Sequence, residues 1–323
     1  MEKITAIIVT YNRKFELYRC IQAVLFQTYK VCSLLIVDNA SSDNTFDFIY
    51  EKIYNCDNDK ILKICANELL SLPPIHDANI FYLLMNENTG GAGGFHAGLK
   101  TANEVLHSEY FWLMDDDGYP SDNCLEKQLS LTGQYDYIMP VSINPENHTE
   151  LSWPARKRNK RRTIYYDELK QSWGAVMNYV TPFNGALLSK SCVDSVGYVN
   201  KDFFIWGDDY EHYWRCKKNN VNPVTLMDAV FYHPAQKISL VSVCFNLFKL
   251  PYVESKLRMV CLVRNSTYIY LHYDKKFMII IKFFMYTWLF LITRKFDMSG
   301  YKLYLQSVLD AFNGNFTRHL KYL

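Results

Sequence analysis

What this sequence lacks excludes several chemistries. Its nine cysteines form no C-x-x-C pair and no repeating spacing, so neither a zinc site nor a disulfide framework is indicated and a reducing cytosol is expected. No G-x-x-x-x-G-K-[ST] loop and no G-x-S-x-G elbow occurs, which disfavours P-loop phosphate hydrolases and serine esterases. The cluster Gly90-Gly91-Ala92-Gly93-Gly94 falls short of the dinucleotide fingerprint, because His96 stands where the third glycine of G-x-G-x-x-G belongs. A formal net charge of only +2 gives no global attraction to nucleic acid, and none is expected as a partner. There is no internal repeat or low-complexity tract. From Met1 the chain runs straight into the strand-like Ile4 to Val9, without a charged, apolar and small-residue series, so export is not expected.

What is present describes a globular chain. Apolar residues are 49% and charged residues 21% of the 323, enough for one large domain with a smaller appendage. Aromatics reach 16%, with 25 tyrosines; flat rings suit carbohydrate faces, and they equally serve cores. Arg156, Lys157, Arg158, Lys160, Arg161 and Arg162 crowd into seven positions. This cluster reads as a solvated loop, with contact to anionic lipid or a pyrophosphate as the alternative.

Short β-rich runs alternate with helical patterns through the first third, which predicts an α/β fold with a mostly parallel sheet flanked by helices. Strands are expected at about Lys3 to Thr10, Leu34 to Val37, Asn79 to Met85 and Tyr110 to Met114. Helices are expected at about Lys14 to Gln27, from near Thr45, and from within the glycine cluster, with a polar helical insertion at about Lys60 to Leu70 that stops at Pro73-Pro74. Later strands are expected near Tyr137 to Pro140 and Val224 to Tyr232. Thr10-Tyr11-Asn12-Arg13, Asp38-Asn39 and Asp115-Asp116-Asp117 all follow strands, at the carboxyl ends where open α/β sheets bind ligands. Residues 1–240 are expected to form a catalytic domain and residues 241–323 a helical C-terminal region serving the acceptor or a membrane. In that region Phe277 to Ile292 is interrupted only by Lys282 and Thr287. It is shorter than the roughly 20 apolar residues of a spanning helix, so it is expected either to be buried or to lie on a membrane interface.

Three consecutive carboxylates at the end of an apolar strand repel one another and call for a compensating cation. Alternate residues of an extended segment project to one side, so Asp115 and Asp117 can address one Mg²⁺ or Mn²⁺ while Asp116 points elsewhere. The same run is also ordinary turn chemistry. A second acidic cluster, Gly207-Asp208-Asp209-Tyr210-Glu211, leads into a helical pattern; it is either a well-capped helix start or a source of a general base. His233 follows a predicted strand and is either a packed histidine or a further metal ligand. The glycine cluster permits close backbone approach and offers a helix N-terminus to phosphate.

In this order the motifs resemble inverting family 2 glycosyltransferases with a GT-A (nucleotide-diphospho-sugar transferase) fold. Ile7-Ile8-Val9-Thr10-Tyr11-Asn12-Arg13, Ile36-Val37-Asp38-Asn39-Ala40-Ser41-Ser42-Asp43 and Trp112-Leu113-Met114-Asp115-Asp116-Asp117 look like that family's first strand and loop, second strand and loop, and metal motif. Asn88-Thr89-Gly90-Gly91-Ala92-Gly93-Gly94-Phe95, the stretch Phe203 to Glu211, and the pair Arg264-Asn265 resemble bacterial galactofuranosyltransferases more closely. The resemblance implies Thr10, Asn12, Arg13 and Asp38 around uridine, Asn88 and Gly91 near the ribose and diphosphate, and Asp116 on the donor side. It implies Asp115, Asp117 and His233 as ligands of Mn²⁺ or Mg²⁺, and Asp209 as the general base. Where some relatives have Trp directly before the two aspartates, Gly207 intervenes here. Asp208 and Glu211 therefore stay open as alternatives for the base, and with Trp206 they are the acceptor-side candidates.

The implied reaction is a single in-line displacement that transfers galactofuranose from UDP-galactofuranose to a hydroxyl of a lipid-linked cell-surface glycan. The implied location is the cytoplasmic side, peripheral on the cell membrane. The nearest rival is a rhamnosyl or other hexosyl donor on the same scaffold; a nicotinamide-dependent oxidoreductase is the rival from another class.

Overall fold

The computed structural model describes residues 2–55, 65–180, 183–235 and 240–323. The chain divides into two compact units, Met1–Lys201 with His212–Gln236, and Asp202–Glu211 with Lys237–Leu323.

The first unit opens with β1 (Ile4–Thr10), α1 (Lys14–Leu25), β2 (Ser33–Asp38), α2 (Thr45–Tyr54), β3 (Leu69–Ile75), β4 (Ala78–Leu84) and α3 (Gly90–Glu104). It continues with β5 (Tyr110–Asp115), β6 (Tyr119–Pro120), α4 (Cys124–Leu129), β7 (Tyr137–Ile143), β8 (Glu150–Arg156), β9 (Arg162–Tyr165) and α5 (Tyr166–Trp173). β10 (Val176–Met177), β11 (Asn184–Ser189) and α6 (Lys190–Val196) follow; α7 (Asp208–Lys218) starts in the second unit, and β12 (Val224–Tyr232) completes the first.

One mixed sheet runs in the order β10-β12-β7-β11-β5-β1-β2-β4-β3. Pairing is parallel through β5-β1-β2-β4 and again between β7 and β12, with β11 antiparallel to both of its neighbours. Every residue of β1, β2 and β7 is buried, which is why these segments read as continuous apolar runs without alternation. The register sets Thr10 opposite Asp38, Val9 opposite Asp115, and Asp38 opposite Leu84. The polar residues that end β1, β2 and β5 are thus level along one edge of the sheet. Helix α3 lies close over β1, and glycine makes this approach possible: a Cβ at Gly94 would come 2.4 Å from Val9 Cγ1, and one at Gly98 2.5 Å from Ile7 Cγ2.

The expected α/β layers are present. One local expectation is overturned. Of the helical insertion expected at Lys60 to Leu70, residues 60–64 lie outside the described residues, and from Leu69 the chain is β3, antiparallel to β4 at the end of the sheet. An edge strand tolerates Pro73-Pro74 because one side of its backbone has no ladder to donate to. The basic cluster, expected as a solvated loop, forms the largely exposed turn of the β8–β9 hairpin, where the Lys157 amide donates to the Arg161 carbonyl at 2.8 Å.

The second unit, apart from its 202–211 segment, contains the hairpin β13 (Leu240–Val243) and β14 (Phe248–Pro251), then α8 (Lys256–His272), α9 (Phe277–Trp288) and α10 (Met298–Phe312). One π turn, Leu289–Thr293, prolongs α9. Ser255 caps α8 and Asp297 caps α10 through their side-chain oxygens. Val243, Leu250, Met259, Val263, Leu289, Phe290 and Tyr304 belong to its core. The hairpin adds strand to a region expected to be helical. Helix α9 is not a buried helix: Phe277, Ile280 and Phe284 are each at least 60% exposed, and only Met285 and Tyr286 are buried.

Candidate active site

In the first unit the loops after β1, β2, β4 and β5 are tied together by side chains. Thr10 Oγ1 donates to Asp116 Oδ2 at 2.7 Å. Arg13 Nη1 reaches Asp116 Oδ1 at 3.2 Å and Asp117 Oδ2 at 2.7 Å. The cation demanded by the aspartate run is therefore supplied in part by Arg13, a residue placed near the uridine by resemblance. Asn12 has its backbone in the left-handed region (φ 54°) and its Oδ1 accepts from the Ser42 amide at 2.7 Å, while its own amide donates to Ser41 Oγ at 2.9 Å. Asp38 is buried; Ser41 N donates to its Oδ1 at 2.8 Å and the Tyr82 hydroxyl to its Oδ2. Asn88 Oδ1 accepts from the Gly90 amide at 2.9 Å and so shapes the start of α3. Gly91, in the first turn of α3, has open space where a Cβ would stand.

The carboxylates of this unit differ in state. Burial pushes the Asp116 carboxyl up to about 6 against the opposing pull of Thr10 and Arg13. Burial acts in the same direction on Asp117, but His233 and Arg13 outweigh it and hold that carboxyl below its ordinary value. His233 is buried, and its Nδ1–H donates to the Pro234 carbonyl at 2.7 Å. Its Nε2 lies 2.9 Å from Asp117 Oδ1. With a proton on Nε2 the ring pairs with Asp117, the state in which His233 lowers that carboxyl; with Nε2 bare, two acceptors face each other and the buried Asp117 Oδ1 has no hydrogen-bond donor. An imidazole nitrogen and an orphaned carboxylate oxygen at this separation fit a divalent cation. Among the described residues no group of three His, Cys, Asp or Glu side chains is gathered as a preformed cation site. Asp115, the third expected ligand, ends β5 and is half-buried.

The second acidic cluster lies in the second unit. Gly207, with φ 90°, supplies the carbonyl that accepts from the Glu211 amide at 2.7 Å, so it begins α7, and the acidic residues occupy the first turn, where the helix dipole favours them. Asp208 is buried, and burial together with the charge of Asp209 pushes it up to about 8. Glu211 is buried and accepts from the Tyr273 hydroxyl at 2.6 Å. Asp209 is half-buried, and its Oδ1 accepts from the Tyr210 amide at 2.7 Å. Trp206 is half-buried under the guanidinium of Arg258, 5.8 Å from the ring centre.

Sequence reasoning assigned no site role to four contributors. Asn39 binds the Gly90 carbonyl and accepts from the Thr89 amide and hydroxyl; its place beside Asp38 was the available signal. Tyr82 and Ser41 hold Asp38. Trp153 packs on His233 with ring centres 4.6 Å apart, and nothing in its own stretch of sequence points there.

The family model described as Glycosyl transferase family 2 matches residues 5–194. The chain is 25% identical over 312 residues to galactofuranosyltransferase GlfT1 of Mycolicibacterium smegmatis, covering 94% of this chain and 95% of the relative. Among solved structures it is similar to S. aureus TarS 1-349 in complex with UDP, at a TM-score of 0.51 and 15% identity, covering 84% of this chain and 66% of that one. Of a second TarS structure it spans 40%. Mannosyltransferase PcManGT from Pyrobaculum calidifontis, in complex with GDP-Man and Mn²⁺, gives a TM-score of 0.51 at 15% identity, with 82% of this chain and 62% of that chain covered. The chain thus spans less than two thirds of these solved chains.

Proposed function

The chain belongs to glycosyl transferase family 2 and has a GT-A fold, and from that membership we propose that it transfers galactofuranose from UDP-galactofuranose, with inversion, to a hydroxyl of a lipid-linked glycan. The name of the M. smegmatis relative, matched over nearly the whole of both chains, supports the sugar. The observation that carries the chemistry is the buried Asp117 Oδ1 facing His233 Nε2 at 2.9 Å, level with the strand ends at Thr10 and Asp38.

Asp115, Asp117 and His233 would hold the divalent cation. When bound, it supplies positive charge against the departing diphosphate. Thr10, Asn12, Arg13, Asp38, Asn88 and Gly91 bind and orient the nucleotide. Asp116, fixed by Thr10 and Arg13, keeps the donor-side loops in register. Asp209 takes the proton of the acceptor hydroxyl as its oxygen attacks the anomeric carbon and the bond to UDP breaks. Its partial exposure favours Asp209 over the buried Asp208 and Glu211 for this role; those two and Trp206 line the acceptor side.

Purified chain incubated with UDP-galactofuranose and a lipid-linked glycan should release UDP, lose turnover in EDTA and regain it with Mn²⁺. Linkage analysis of the product identifies the bond. Faster turnover of dTDP-rhamnose or another hexose donor would replace the sugar assignment.

The acceptor's lipid suggests where the enzyme works, peripherally on the cytoplasmic face of the membrane. No described helix is long and apolar enough to cross one. Phe277, Ile280 and Phe284 are exposed on α9, and Phe245 at the tip of the β13–β14 hairpin meets Trp288 of α9 with ring centres 4.9 Å apart. Lys275, Lys276, Arg294 and Lys295 bracket this apolar surface, a composition suited to an anionic interface. Co-sedimentation with anionic vesicles should weaken in the Ile280→Ser, Phe284→Ser double variant; equal sedimentation of both proteins would remove the membrane contact from α9.

A further inference from the structure

The segment Asp202–Glu211 belongs to the second unit together with α8 and the C-terminal residues, and the contacts within that unit give it a holder. Its backbone is unusual. Phe204 (φ 65°), Trp206 (φ 62°) and Gly207 (φ 90°) all sit in the left-handed region, and two of the three are large aromatic residues for which that region is unfavourable. Such a path persists only where its surroundings hold it.

Two side chains of α8 do so. Asn265, buried, shares its amide hydrogens among the carbonyl oxygens of Phe203 (3.0 Å), Ile205 (3.0 Å) and Trp206 (2.7 Å). Arg264, at 0% exposure, donates from Nη2 to the Phe203 carbonyl at 3.0 Å and from Nε to Asn265 Oδ1 at 2.9 Å, so the guanidinium fixes the orientation of the amide. The rest of Arg264 is anchored by the Phe316 carbonyl (3.2 Å), His319 Nδ1 (3.0 Å) and the Phe316 ring beneath it. Burial and the charge of Arg264 hold His319 down at about 4, so its ring is neutral and Nδ1 can accept. A charged side chain this deeply enclosed, with backbone carbonyls among its acceptors, is expensive to keep, and the Trp206 carbonyl it helps to fix lies only three residues before Asp209.

We infer that Arg264 and Asn265 are positioning residues: they clamp the carbonyls of Phe203, Ile205 and Trp206 and thereby set the direction in which Asp209 leaves the start of α7. This rests on Asp209 being the base, and a four-protein comparison separates the two ideas. Wild type, Asp209→Asn, Asn265→Ala and the double variant are assayed as full chains for kcat, donor KM and UDP affinity, with melting temperature as the fold check. A displacement of about 1 Å at a reacting group costs on the order of 10²-fold, so Asn265→Ala should lower kcat by about that factor with donor KM and UDP affinity unchanged. In the Asp209→Asn background the same substitution should cost almost nothing further, because the clamp acts through the group already removed. Equal losses in both backgrounds would make Asn265 merely structural and overturn the inference. Near-wild-type turnover of Asp209→Asn would instead overturn the base assignment. If Asn265→Ala does not fold, Asn265→Asp serves: it keeps the acceptor for Arg264 and the volume but removes the three donations. It should show the same kcat loss, and wild-type kcat in it would sink the clamp.

Discussion

The two acidic clusters of this enzyme are held in opposite ways. In the first unit the carboxylates themselves are gripped, by Thr10, Arg13 and His233. In the second, Tyr273 holds Glu211, but the main grip is on the backbone ahead of the acids, through Arg264 and Asn265, and the helix N-terminus receives them. The first arrangement suits groups that must hold charge against a ligand. The second suits a group whose direction matters and whose carboxylate must stay able to accept a proton.

The largest effect that can test this contrast is on the proposed base. Asp209→Asn keeps shape and removes proton acceptance, so kcat should fall by about two to four orders of magnitude with UDP affinity intact; steady-state kinetics and calorimetry report the two separately. A parallel loss of UDP affinity would mean that Asp209 also serves the donor. Next in size, His233→Ala and Asp117→Ala should each reduce the Mn²⁺-dependent gain in UDP affinity, by at least the roughly tenfold that even outer-shell changes cost at metal sites. Unchanged UDP titrations with Mn²⁺ and with EDTA would withdraw the cation from this pair. The smallest effect is on stability. Asp208 has its carboxyl raised to about 8 in the folded chain, chiefly by burial and then by Asp209. The folded state therefore holds a proton that the unfolded state has released, and stability falls as pH rises from the ordinary carboxylate range to about 8. Asp208→Asn cannot titrate, so its melting temperature should gain on wild type across that window, by about 2–4 °C for each kcal/mol recovered. A constant difference between pH 5 and pH 8 would show that Asp208 does not titrate there.

Much of the first unit was legible because its central strands are buried on both faces, so that Ile4 to Thr10 and Ser33 to Asp38 read as unbroken apolar runs ending in polar residues. Helix α3 begins at Gly90, inside the glycine cluster as expected. β3 was not legible, since Pro73-Pro74 is compatible with a strand only at a sheet edge, and edge position is a property of the whole sheet. The hydrogen bonds of Arg13 to Asp116 and Asp117 join residues more than a hundred positions apart, and local spacing carries no trace of them. Arg264 and Asn265 stood out only by resemblance; that the pair faces inward onto the carbonyls of Asp202, Phe203, Ile205 and Trp206 depends on packing within the second unit. The exposed face of α9 shows the converse. Its composition was plain, but whether an apolar stripe is covered depends on what the rest of the chain leaves available to cover it.

The closeness of α3 to β1 at Gly94 couples two parts of the proposed donor site like gears on one shaft. A methyl group there would strike Val9, the residue before Thr10, whose hydroxyl fixes Asp116. The same push would displace the first turn of α3, where Gly91 opens toward solvent space. One added carbon at position 94 would therefore shift the start of α3 and the Thr10–Asp116 bond together, so the spacing between helix and strand works as a gauge block for the proposed donor site.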